Sequence, residues 1–106
     1  MNEEQMQALG EKVVDVLHSI YDPEIPVDIY ELGLIYDVRV SEDADIEIDM
    51  TLTSPSCPVA ESMPEEVREK VSSLDEAKEV KVIMVFEPTW TKEMMSEEAK
   101  LELGFL

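Results

Sequence analysis

Cys57 is the only cysteine of the chain and lies in the run Thr51-Leu52-Thr53-Ser54-Pro55-Ser56-Cys57-Pro58. A thiol does chemistry chiefly as thiolate, the form that attacks electrophiles and binds soft metals. The local pattern allows this. Upstream, Ile46, Ile48, Met50 and Leu52 alternate with polar residues, the period of a half-buried strand. Downstream, Val59, Met63, Val67 and Val71 share the spacing of one helix face. Cys57 therefore falls on a strand-to-helix turn. Two helix starts are open. With Cys57 at the N-cap and Pro58 in the first helical position, the free N–H groups of Val59 and Ala60 favour a thiolate. Pro64 then lies deep enough in the helix to remove a hydrogen bond and clash with Ala60. A later start, with Ser62 and Glu65 as capping box, spares Pro64 and removes most of the helix dipole from Cys57. A buried, inert cysteine is the competing reading.

Other groups qualify by type. Asp22-Pro23-Glu24-Ile25-Pro26 carries two carboxylates on a proline-stiffened loop. Such acids serve as hard ligands, acid/base groups or backbone caps, the last being their ordinary use. His18, the only histidine, lies near the end of the first helix, where an imidazolium is favoured for reasons unrelated to catalysis. Trp90 stands among breakers and polar residues in Glu87-Pro88-Thr89-Trp90-Thr91, as a core cover or a contact residue. A Cys57 nucleophile needs a base within hydrogen-bond reach, and Asp22 or His18 gives that thin support. The expectation is a protein that is not an enzyme.

These residues need a scaffold, and the periodicities supply one. Asn2 and Gln5 form a capping box for a helix whose apolar face is Met6, Leu9, Val13, Val16, Leu17 and Ile20. Pro23 predicts its end at Tyr21-Asp22. Val27 to Leu32 reads as an irregular turn broken at Gly33, a position needing a backbone angle closed to other residues. A strand from Leu34 to Val40 and the strand from Asp45 flank a polar loop, so they run antiparallel. Both show water an acidic face, the pattern of a sheet covered on one side. Val80 to Phe86 forms a third strand, apolar on both faces at its end, which suits a central place or a covered edge. Ser96 caps a last helix that Gly104 stops, and Phe105-Leu106 folds back or docks on a neighbour.

With 106 residues the chain is read as one domain, 1–106. Its 8 Lys and Arg against 26 Asp and Glu give a net charge of −18, which opposes nucleic acid and anionic membranes and suits a strongly solvated surface. The longest apolar run, Val82 to Phe86, falls far short of the ~20 residues of a membrane span. The N-terminus lacks the basic start and apolar run of a secretion signal, so a cytoplasmic protein is expected.

Four segments in order, Asp22-Pro23-Glu24, Glu31 to Asp37 (ELGLIYD), Thr51 to Pro58 (TLTSPSCP) and Phe86 to Trp90 (FEPTW), resemble the SufT/PaaD-like family of metal-sulfur cluster assembly proteins. The resemblance covers nearly the whole chain. It implies an α+β fold, a small mixed sheet covered by helices on one face in the order α-β-β-α-β-α, like the NifU C-terminal domain. It implies a role in maturing iron-sulfur proteins, by transferring clusters or docking client apoproteins. The implied site is Cys57, Asp22, Glu24, Thr53 and Ser54, with Trp90 close by. There Cys57 is the metal ligand or transfer thiolate, the Thr53 and Ser54 hydroxyls bond sulfur or backbone, and the two acids orient the loop or contact metal. The implied partners are client apoproteins, other assembly proteins and a second copy of the chain. A cluster normally takes four ligands, mostly thiolates, so one cysteine suits transient binding shared across a dimer. Within the family the alternative is an adaptor binding no cluster stably. Beyond it stand an interaction module and, last, a cysteine-dependent enzyme.

Overall fold

The computed structural model describes residues 2–21, 26–52 and 62–104, with Ser62 described by its backbone alone. Its elements are α1 (Glu3–Leu17), β1 (Ile35–Val40), β2 (Asp45–Met50), α2 (Ser62–Ser72), β3 (Glu79–Met84) and α3 (Glu97–Glu102), with a 3-10 turn at Lys92–Met94 before α3. This is the expected α+β order. The sheet runs β1-β2-β3, with β1 antiparallel and β3 parallel to β2.

The capping box forms as the sequence predicts. Asn2 Oδ1 accepts the Gln5 N–H at 2.8 Å while Gln5 Oε1 accepts the Asn2 N–H at 3.0 Å. Leu9, Val13 and Leu17 are buried along one face of α1. The helix stops at Leu17, with His18 as C-cap, short of the expected Tyr21. The cause is the core. The N–H groups of Ser19 and Ile20 reach back only to Val16 and Leu17, which tightens the last turn. Ile20 is then fully buried and its carbonyl accepts the Ile29 N–H at 2.8 Å. Pro23 marks a limit that the helix never reaches.

β2 is the central strand. Ile46, Ile48 and Met50 are buried in one core cluster with Met63, Val67 and Val71 of α2, which packs on β3 and beside α1. Because β3 returns through α2, it lies parallel to β2 and forms an edge of this three-stranded sheet, not its centre. Pro64 falls in the first turn of α2, where an N–H would have no helical partner in any case. The ladder of β1 starts at Ile35 and carries a bulge: Ile35 faces Met50 and Asp37 faces Asp49, leaving Tyr36 as the extra residue.

The other face of the sheet is charged. The Arg39 guanidinium donates to both Asp49 carboxylate oxygens, at 2.9 and 2.8 Å, and to Asp37 at 2.9 Å. These hydrogen bonds hold the Asp49 carboxyl below its ordinary range. Among the described residues no helix is long and apolar enough to cross a membrane.

Candidate functional site

The turn between α1 and β1 gathers the chain. Its base is polar: Asp28 Oδ1 accepts the N–H groups of Tyr30 and Glu31 at 3.0 and 2.9 Å, the local carboxylate-to-backbone bonding that makes aspartate a turn former. His18 Nδ1 lies 3.2 Å from the same oxygen, and its ring stacks obliquely on Tyr30 with centroids 4.7 Å apart. The sole histidine thus fastens the end of α1 to the turn. Beside it, Tyr21 pairs with Asp28 in an isolated antiparallel bridge. That bridge closes the base of the acidic loop.

Gly33 explains the next step of the chain. Its φ is +81°, and a Cβ there would lie 2.3 Å from the Met94 carbonyl oxygen. Glycine is required both for the angle and for this approach of the C-terminal segment. The same segment is held by backbone acceptors of the turn. The Trp90 indole N–H donates to the Leu32 carbonyl at 2.7 Å, and the Ser96 N–H donates to the Glu31 carbonyl at 2.9 Å. From the bulge, the Tyr36 hydroxyl donates to the Pro88 carbonyl at 2.6 Å and lies 3.5 Å from Met94 Sδ. Bulged residues are displaced from the regular alternation, and here the displacement aims a phenol at the proline segment.

The cysteine-bearing segment leaves from the same place. Thr51, 2% exposed, donates its N–H to the Leu34 carbonyl at 2.8 Å, and the Val85 N–H donates to the Met50 carbonyl at 2.8 Å. Leu52, the last described residue before Cys57, is buried. The route to Cys57 therefore starts at the carboxyl ends of the parallel pair β2 and β3, the position at which open α/β sheets hold their ligands.

The match decides which family these motifs represent: residues 10–83 match the family described as iron-sulfur cluster assembly protein. The chain belongs to this family. Its matched region takes in the acidic loop, the ELGLIYD turn, the Cys57 segment and most of the sheet. The chain is 54% identical, over the whole of both chains, to an Fe-S protein maturation auxiliary factor of Porphyromonas gingivalis. It is 40% identical to the Fe-S protein maturation auxiliary factor SufT of Staphylococcus aureus, over 80% of this chain and 97% of that one. Among solved structures it resembles a domain of unknown function, DUF59, from Bacillus anthracis, with a TM-score of 0.91 and 39% identity over 99% of this chain and 100% of that one. The SufT-like resemblance and the α+β fold are thereby borne out.

Of the expected site residues of this iron-sulfur assembly chain, Trp90 is the described one. It is half-buried, packs against the core and spends its N–H on Leu32. Cys57, Asp22, Glu24, Thr53 and Ser54 lie outside the described residues, as do a helix start at Cys57 and the docking of Phe105-Leu106, while α2 as described begins at Ser62, near the later of the two expected starts. Among the described residues no group of three or more His, Cys, Asp or Glu is arranged to hold a metal ion. Periodicity alone missed Tyr36, because a bulge leaves no mark in an alternation that looks unbroken. It also missed the Leu32 carbonyl, since a backbone acceptor has no sequence signal. The motif comparison did single out both stretches, Glu31 to Asp37 and Phe86 to Trp90, and these two meet.

Proposed function

We propose that this protein is a maturation factor for iron-sulfur proteins, in which Cys57 receives a cluster as cargo and passes it to a client apoprotein. One observation carries the reading beyond family membership. The turn of residues 28–34 holds the base of the Asp22–Glu24 loop through Tyr21, the root of the Cys57 segment through Thr51, and the Trp90 segment through Leu32. A turn that fastens the roots of all three segments supports a site shared by the acids, the thiol and the indole.

The chemistry follows from ligand number. A cluster takes four ligands and prefers thiolates, while one chain offers one. Two chains sharing a cluster would supply two Cys57 sulfurs and leave the remaining positions to carboxylates, a small thiol or the client. Such an under-ligated cargo leaves readily when a client presents a full set of cysteines. Asp22 and Glu24 would orient the loop or contact iron, and the Thr53 and Ser54 hydroxyls would hydrogen-bond sulfur. The protein itself then catalyses no bond change in a substrate, and its partners are client apoproteins and other assembly proteins. The single thiol also favours a second reading, an adaptor that docks clients and holds no cluster stably.

Transfer kinetics test the proposal. Protein loaded anaerobically and mixed with an apo-ferredoxin should give up its cluster, seen as the growth of the acceptor's visible circular dichroism, faster than iron and sulfide free in solution at the same concentration. Cys57→Ser should lose that advantage. Equal rates for the two proteins would remove the thiol from the mechanism.

A further inference from the structure

Gly10 lies in the middle of α1, where a glycine weakens the helix relative to alanine. Nothing among the described residues requires it. A Cβ built there would meet no atom of the described residues within 4 Å. The space it leaves belongs to a groove of about 700 Å³ between α1 and the edge strand β1, lined by Met6, Val14, Val38 and Val40 together with Glu11 and Asp15. No lysine or arginine lines it.

The strand beside this groove is open. β1 ends the sheet among the described residues. Ser41 donates its N–H to Asp45, so by the antiparallel alternation residues 37, 39 and 41 direct their backbone groups to β2, while 38 and 40 direct theirs outward. The outward N–H of Val38 is held at 2.9 Å by the Asp37 carboxylate, a side-chain cap that an incoming carbonyl can replace. An unpaired edge with an apolar groove beneath it has the two parts of a strand-addition site: backbone hydrogen bonds along the edge and pockets for alternate side chains.

We propose that this edge of β1 binds an extended segment of a partner protein, apolar at alternate positions and flanked by lysine or arginine. The strand pairs with Val38 and Val40, its inward side chains occupy the room that Gly10 leaves beneath α1, and its basic flanks meet Glu11 and Asp15. The charge of the chain selects against the other obvious occupant. A second copy seated at this edge would set its own Glu11 and Asp15 against the same acidic rim. The proposal stands apart from cluster transfer by Cys57, because binding at this edge needs no iron.

The probe is a fluorescein-labelled peptide of alternating valine and threonine with two lysines at each end, titrated in the absence of iron and followed by anisotropy, with amide shifts recorded for residues 36–41. Saturable binding with shifts confined to β1 and α1 is expected. Gly10→Leu, which fills the groove at a helix-compatible position, should weaken binding at least about tenfold while its melting temperature equals or exceeds that of the native protein. The pair Glu11→Lys with Asp15→Lys should weaken it similarly and favour the same core flanked by glutamates. Absence of saturable binding, or equal affinity of native protein and Gly10→Leu, would overturn the proposal. So would a native dimer in sedimentation that Gly10→Leu converts to monomer, since the occupant would then be a second copy. The Cys57→Ser protein should bind the peptide unchanged, which separates this outcome from any failure of cluster transfer.

Discussion

The Leu32 carbonyl and the Trp90 indole show how a backbone acceptor ties a motif to the core. Their bond, at 2.7 Å, closes a contact between residues far apart in the chain. Replacing Trp90 with phenylalanine keeps a ring of similar packing but leaves the carbonyl of the buried Leu32 without its donor. The expected cost is about 1–3 kcal/mol, read as a shift of the urea midpoint at unchanged slope. A change below a few tenths would mean that water takes the place of the indole. Gly33 is the stricter case. A Gly33→Ala chain needs a left-handed angle that costs roughly 1–2 kcal/mol, before its Cβ meets the Met94 carbonyl. The variant should lose more than that, and limited proteolysis should cut the 88–104 segment faster than in the native protein. The sequence told that Gly33 needed an unusual angle; the reason, the approach of Met94, depended on a tertiary contact that local pattern does not carry.

Among the elements, β1 and β2 carry the charged pair that makes a pH prediction. The Arg39 guanidinium lowers the Asp49 carboxyl below its ordinary value, mainly by hydrogen bonding. A carboxyl depressed in the folded state stabilises the protein above the unfolded-state value, and that contribution disappears as pH falls through the folded-state value. The Asp49→Asn variant should therefore lose less stability than the native protein between about pH 5 and pH 2, by thermal unfolding over a pH series. The difference is small, because the pair is well solvated. Parallel acid limbs for the two proteins would show that the pair contributes nothing. Element order, the capping box and the antiparallel hairpin were legible from periodicity and cap residues. The edge position of β3 was not, because a strand apolar on both faces fits a centre or a covered edge alike; its parallel pairing completes the mixed sheet that the resemblance implied. The end of α1 was misread for a related reason: Pro23 speaks of local geometry, whereas burial of Ile20 decided where the helix stopped.

For the molecule as a whole, the fold brings distant motifs to one turn and leaves an acidic body around it. The residues that fasten the motifs, Tyr36, Thr51 and the Leu32 carbonyl, were chemically silent in the sequence, since their work is done through bonds across the chain. The residues with evident chemistry, Cys57 above all, were legible at once. Joining the two gives the proposal that Cys57 is the ligand through which a labile cluster is carried. Its most direct test is the iron and acid-labile sulfide content per chain after anaerobic reconstitution, measured for the native protein and for Cys57→Ser together with the mass of each in solution. The account predicts about one cluster per two native chains, a native mass doubled on loading, and neither iron nor sulfide above background in Cys57→Ser. Equal loading of the two proteins would contradict it, and so would no loading of either, which would leave client docking as the function of the fold.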